Sequence, residues 1–295
     1  MNIISRRLEQ KKILVADGSW GWQLTTRGLP VGRLGETWNL ERPDAVLSVA
    51  QGYVDAGADI ILTNSFQGSP FKLATCGLEE RTEEVNRIAA SLSRHAAGDR
   101  VLVIGSIGPT GEFMQPLGLI GEEQMVAAFT RQVIGLADGG VDAILVETMS
   151  DLGEAKAALR AARESFAGPV VCSMTFDRGP AGYATMMGVK PAQAAQDLEA
   201  AGADVVGSNC GSGIHNIIEV IALMAPVTDL PLWAKPNAGM PELVKGETVF
   251  RETPEEMASR FADLVDAGAD IIGGCCGTTP DHIRALVAAR DALVG

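Results

Sequence analysis

Three of the chain's five cysteines fall into two short glycine-framed phrases, GSNC at residues 207–210 and GGCCG at residues 273–277. Cys210, Cys275 and Cys276 can act jointly only if the fold brings them together. Three thiolates in one small space repel one another unless a cation holds them. Zn2+, which takes Cys sulfur at about 2.3 Å and favours four ligands, suits such a set. Successive residues of a strand point to opposite faces, so Cys275 and Cys276 can address one ion only where the chain bends. Gly273, Gly274 and Gly277 make that bend available. The C-x2-C knuckle of structural zinc sites is absent, and three protein ligands leave a fourth position open, as catalytic zinc sites do. A redox disulfide between Cys275 and Cys276 is the rival reading, and its vicinal ring would be strained. Cys76, in a loop before a helix, and Cys172, within a strand, read as small packing residues.

The elements that must position these thiols announce themselves by repetition. A similar phrase occurs four times: YVDAGADIILTN at 53–64, LADGGVDAILVET at 136–148, LEAAGADVVGSNC at 198–210 and LVDAGADIIGGCC at 264–276. Each has a helix-like apolar end, a Gly suited to the left-handed position that closes a helix, an Asp, and a short β-branched run. Such a run, too short for a helix and too uniformly apolar for a half-exposed strand, fits a parallel strand buried on both faces. The repeat glycines Gly57, Gly140, Gly202 and Gly268 stand 83, 62 and 66 residues apart. Each gap is two βα units long. Strands at 101–106, 169–175 and 231–235 fill the middles, and one at 13–17 precedes the first repeat.

Helical patterns occupy 43–56, 79–95, 122–138, 155–166, 191–201, 214–224, 254–267 and 281–293. Thr253-Pro254 and Thr279-Pro280 have the form of a capping residue followed by Pro at the first helical position. Eight strands alternating with eight helices in 295 residues, roughly 37 per unit, predict a single-domain α/β (β/α)8 barrel spanning residues 1–295. A doubly wound open sheet is the alternative, but no G-x-G-x-x-G follows the first strand.

Barrel chemistry occurs at the carboxyl ends of the strands. Read in order, these are Asp17, Asn64, Ser106, Glu147, Thr175, Asn209 with Cys210, Lys235 with Asn237, and Cys275 with Cys276. Cys210 ends the sixth strand and the vicinal pair ends the eighth, so only the seventh separates them.

The composition bounds the partners. A net charge of −13, from 37 acidic and 24 basic residues, argues against non-specific nucleic-acid binding. Residues 1–12 lack the apolar core of a secretory signal, and no apolar stretch approaches 18 residues, so neither export nor a membrane span is expected. With an odd cysteine count, this predicts a cytoplasmic protein in a reducing compartment.

ADGSWG at 16–21, GSNC at 207–210 and GGCCGTTPDHI at 273–283 resemble the three motifs of the homocysteine S-methyltransferases, and the resemblance runs over essentially the whole chain. It implies a (β/α)8 barrel in which Cys210, Cys275 and Cys276 bind zinc. It also implies that homocysteine's amino and carboxylate groups meet Asp17, Gly18 and Ser19 in the first-strand loop and Glu147 at the end of strand four. Glu147 and Asp17 can accept from the ammonium, and backbone N–H groups of residues 18–20 can donate to the carboxylate.

For the methyl donor, Trp20, Trp22 and Trp38 in the early loops and Phe66 after strand two, beside Asn64, offer aromatic faces for an onium group by cation–π attraction. Glycine betaine is the preferred donor and S-methylmethionine the second. A methyl group on a separate corrinoid-carrying protein stays open, as do another thiol acceptor and a zinc-stabilised barrel that only binds a ligand. With the barrel filling the chain, no room is expected for a methyl-carrying module, and monomer or homo-oligomer is left open. His95 and His282 read as helix-surface residues. His215 lies just past Cys210, the loop at 110–121 with Phe113 and Met114 is placed to cover the mouth, and Lys235 and Asn237 have no assigned role.

Overall fold

The repeated phrase folds the same way four times. In the computed structural model, which describes residues 1–244 and 247–295, Gly57, Gly140, Gly202 and Gly268 all have φ between +87° and +108°. That is the left-handed conformation a side chain resists, and it ends each helix so that the next strand can begin. The Asp two residues on then reaches across to the preceding odd strand. Asp59 Oδ2 accepts from Val15 N–H at 2.9 Å, and Asp142, Asp204 and Asp270 accept from Val103, Val170 and Leu232, each at 2.8 Å. Replacing Asp142 by alanine orphans the buried Val103 N–H, and a loss of about 1–3 kcal/mol in urea-unfolding free energy is expected. A change under about 0.5 kcal/mol would contradict this role.

The strands, in chain order, are β1 Leu14–Val15, β2 Ile60–Leu62, β3 Leu102–Ile107, β4 Ala143–Met149, β5 Val170–Met174, β6 Asp177–Gly179, β7 Gly182–Ala184, β8 Val205–Cys210, β9 Leu232–Pro236, β10 Glu242–Val244, β11 Glu247–Val249 and β12 Ile271–Ile272. Eight are parallel in the order β1-β12-β9-β8-β5-β4-β3-β2, and a parallel bridge from Ala16 to Ile60 joins the two ends. The result is a nearly closed α/β barrel, the (β/α)8 architecture expected. The hairpins β6–β7 and β10–β11 stand outside it and were not foreseen; β6 and β10 are exposed throughout and carry no period-two signal.

Inside the barrel the alternation of strand side chains sorts apolar from polar. Leu14, Ile60, Ile104, Leu145, Val171, Val205, Trp233 and Ile271 pack as one interior cluster. Two or four residues further along the same faces come Ser106, Glu147, Ser173, Asn209 and Lys235, because the period is two, and Cys275 follows in the turn after β12. A dry lower core therefore supports a polar upper layer at the carboxyl end. The amino end is plugged by helix Ile3–Lys11, whose Ile4 is buried in that interior cluster. The sequence reading saw only a polar start there.

The expected helices are present to within a few residues. Short helices Trp20–Thr26, Trp38–Glu41 and Pro70–Ala74 were not foreseen, so the three early tryptophans lie in helices rather than loops. Two further readings are corrected. The pattern over 254–267 is two helices, Pro254–Ser259 and Phe261–Asp266, broken at Arg260 where ψ reaches 7°. His282 is buried rather than on the surface: its ring caps helix Pro280–Val294 at Thr279, and its Nε2 lies 3.0 Å from the Glu252 carbonyl. No described helix is long and apolar enough to cross a membrane.

Candidate active site

β8 delivers Cys210 and the turn after β12 delivers Cys275 and Cys276. Their Sγ atoms all lie within 4.8 Å of one another, with Cys210 and Cys275 at 3.0 Å. Among the described residues no other group of three His, Cys, Asp or Glu side chains is placed to hold an ion. Tetrahedral coordination at about 2.3 Å requires sulfurs about 3.8 Å apart, so the donor set fits a soft cation with small adjustment. The thiols also need one. Hydrogen bonds from Cys210 and Cys275 hold Cys276 well below the usual thiol range, while Cys210 is pushed up, chiefly by its bond to Cys275. Alone, the cluster favours one thiolate shared by two thiols, and a cation would be required to keep all three ionised.

Local backbone makes the convergence possible. Cys210 adopts φ +64°, a left-handed conformation costing a non-glycine residue of order 1–3 kcal/mol. The vicinal pair is bent by a dense set of bonds: Cys275 N–H to the Pro236 carbonyl at 2.7 Å, Cys276 N–H to Asn237 Oδ1 at 3.0 Å, and Ala238 N–H to the Cys276 carbonyl at 2.9 Å. Gly277 is held at φ +80°, where a Cβ would meet the Phe250 ring at 2.1 Å. Asn237 thus has a role the sequence did not reveal, with its Nδ2 donating to the Gly211 carbonyl at 2.6 Å. Asn209 holds the other side: its Oδ1 accepts from Ser173 Oγ at 2.7 Å and Thr148 N–H at 2.9 Å, and its Nδ2 faces Cys210 Sγ at 3.5 Å and Cys275 Sγ at 3.8 Å.

Beside the thiols lies a buried charge group. Lys235 Nζ donates to Asp17 Oδ1 at 2.7 Å, the two side chains being 2% and 0% exposed. Burial lowers the Lys235 pKa, but the Asp17 and Glu147 charges outweigh it, and the ammonium is held above its usual range. Glu147 accepts from Ser106 Oγ at 2.5 Å. Burial pushes its carboxyl up to about 7 despite the opposing pull of Lys235.

Asp17 also accepts from Trp20 Nε1 at 2.8 Å and Leu62 N–H at 2.7 Å, so three donors inside the protein already occupy it. Ser19 caps helix Trp20–Thr26 and gives its N–H to Thr278 Oγ1 at 3.1 Å, whose hydroxyl donates to the Cys275 carbonyl at 2.7 Å. The N–H expected to meet a substrate carboxylate therefore ties the first loop to the cysteine turn. Gly18 is wedged where a Cβ would come within 2.7 Å of Thr278 Oγ1.

The aromatic set is dispersed among structural tasks. Trp38 is 3% exposed with the Arg42 guanidinium 4.6 Å over its ring. Trp22 meets Phe250 edge-on at 5.6 Å, and Phe66 packs on Gly108. Asn64 clamps the early loop through Gly35 O and Asn39 Oδ1, both at 2.8 Å. His215 is exposed beside Arg260.

Fold and site together define a (β/α)8 barrel with three converging thiols at its carboxyl end. A family model described as homocysteine S-methyltransferase matches residues 14–290, and the chain belongs to that family. Methionine synthase of Mycobacterium leprae is 30% identical over 297 residues, covering 95% of this chain and 24% of its own; that of Mycobacterium tuberculosis is 31% identical, covering 95% and 25%. The chain spans about a quarter of the length of these curated relatives. Among solved structures, the metallated form of the homocysteine methyltransferase MmuM from Escherichia coli superposes with a TM-score of 0.82 at 24% identity, covering 97% of this chain and 99% of that one. Its oxidized form gives 0.80 at 26% identity, covering 95% and 97%.

Proposed function

We propose that the chain is a zinc-dependent S-methyltransferase that moves a methyl group from a small onium donor to the thiol of homocysteine, giving methionine. The observation that carries this is the convergence of Cys210, Cys275 and Cys276 beside a buried, partly neutral Glu147. A zinc ion held by the three cysteines would deprotonate a thiol taking its fourth position, whose own pKa of about 8.5 leaves it mostly protonated at pH 7. Glu147 accepts from the substrate ammonium, and Lys235 keeps that carboxylate and Asp17 compensated. Asn209 and Asn237 fix the cysteine directions. The substrate sulfur then attacks the methyl carbon in line, a new S–C bond forms, and the electron pair of the breaking bond leaves with the donor's nitrogen or sulfur. The protein's share is alignment and desolvation.

Glycine betaine is the first donor to test and S-methylmethionine the second. A corrinoid-bound methyl group on a separate protein, or another thiol acceptor, is the further alternative. Metal analysis of the purified chain coupled to assays with betaine, S-methylmethionine and methylcobalamin separates these. Failure to form methionine from homocysteine with every donor sinks the acceptor assignment.

A pH dependence follows from Glu147. Burial raises its pKa to about 7, so it is largely neutral below that pH and offers the ammonium a full negative charge only above it. The KM for homocysteine should rise by up to roughly ten-fold per unit below about pH 7 and level off above. Glu147→Gln should raise KM and flatten the profile, and a wild-type KM indifferent to pH over this range contradicts the assignment.

A further inference from the structure

The barrel mouth has a second feature that the thiol chemistry does not use. A cavity of about 160 Å3 opens between the loop after β3, the start of helix Leu152–Ser165 and the turn after β7. Its lining is of two kinds. Phe113, Met114, Met186 and Met187 supply soft apolar surface, while Glu112, Asp151 and Glu154 supply carboxylates. Glu154 is 6% exposed. Thr110 gives both its N–H and its hydroxyl to Glu154 Oε1, at 2.7 and 2.6 Å, and Oε2 carries no hydrogen bond among the described residues. Asp151 spends Oδ1 on the Glu154 N–H at 2.8 Å. Burial raises the Glu154 carboxyl, and Lys72, beside Gly111, only partly offsets it.

A largely buried carboxylate that lines a cavity favours a cation there. An inorganic ion is a poor fit: these carboxylates form no three-ligand group, and thioether and phenyl surface cannot replace its water. An organic cation fits both halves, since aromatic faces and methionine sulfur attract the positive skin of an onium group. The volume matches the roughly 150 Å3 that accommodates a benzene-sized guest. Ser150 lines the cavity, two residues along the chain from Thr148, whose Oγ1 accepts from the Asn209 amide at 2.6 Å. The larger cavity, about 350 Å3, lies at the opposite end of the barrel, where Arg163 and Asp204 neutralise each other.

We propose that this cavity is a binding site for the cationic group of a small organic onium ligand, with Asp151 and Glu154 as its charge partners. Its link to the methyl donor rests on the function proposed above; binding itself does not.

The test is calorimetric titration of the whole protein with choline, glycine betaine and 3,3-dimethylbutan-1-ol, the neutral carbon isostere of choline. Choline should bind most tightly, betaine less tightly because its own carboxylate meets these two, and the neutral alcohol least. Asp151→Asn, which keeps the helix cap, and Glu154→Gln, which keeps an acceptor for Thr110, should each weaken choline roughly ten-fold. They should also raise the KM of whichever onium donor is used while leaving that of homocysteine unchanged. No choline binding, or binding unchanged in the double variant, overturns the site. Choline binding that depends on the two carboxylates, in a protein that uses no onium donor, leaves the site standing and removes the proposed function.

Discussion

Cys275→Ala is expected to lose bound metal and methyl transfer together while the barrel stays folded. Cys275 reaches Cys210 at 3.0 Å and lies within 4.8 Å of Cys276, so its removal takes out one of three mutually adjacent thiols. Two thiols cannot replace a three-thiol set, and elemental analysis should fall from about one metal per chain to near none. The activity loss has two parts. With its ordinary pKa of about 8.5, a substrate thiol at pH 7 is only a few per cent ionised, which alone costs about 30-fold. Loss of alignment at the same centre multiplies this by at least a further ten-fold or so. The fold should survive, because the turn's backbone bonds to Pro236, Asn237 and Ala238 do not use the sulfur. A folded variant that is fully active and metal-free ends the metal assignment.

Lys235→Met is expected to be the most destabilising single change at the mouth. It removes the only charge partner that Asp17 has among the described residues, in a site where both are essentially without solvent contact. Breaking a buried pair by deleting one partner costs about 3–5 kcal/mol, a large part of a typical total of about 5–15 kcal/mol. The double variant Asp17→Asn with Lys235→Met should regain most of this, because it leaves no orphaned charge. Urea unfolding of the four proteins gives the coupling directly. Equal losses in the Lys235 single variant and in the double variant would show that the pair is not an energetic unit. A functional consequence has a definite sign. Lys235 pulls the Glu147 pKa down against burial, so without it the carboxyl rises further and the homocysteine KM midpoint moves to higher pH.

The repeats made much of the barrel readable. Gly57, Gly140, Gly202 and Gly268 need a conformation that only glycine takes cheaply, and that local demand is written in one residue. The Asp two places later was visible as a pattern, but its bond to the preceding odd strand was not, since its partner lies tens of residues away. The hairpins β6–β7 and β10–β11 and the plugging helix Ile3–Lys11 were missed for a similar reason. Exposed antiparallel turns have little periodicity, and a plug is recognisable only against what it fills.

At the site, residue type and strand-end placement pointed to Cys210, Cys275, Cys276 and Glu147, because thiols and a carboxylate at those places have few ordinary uses. The tryptophans were harder to read. An aromatic ring suits an onium group or a packing surface equally, and only the structure shows Arg42 over Trp38 and Phe250 against Trp22. Lys235 had no assigned role until its ammonium met Asp17. The sequence by itself therefore determined the eightfold order of strands and the thiols that converge, since both follow from local periodicity and intrinsic chemistry. Tertiary structure alone decided which polar groups are already satisfied and which remain open. A hydrogen bond or an ion pair is a property of two atoms, and the chain brings its distant pairs together only when the barrel closes.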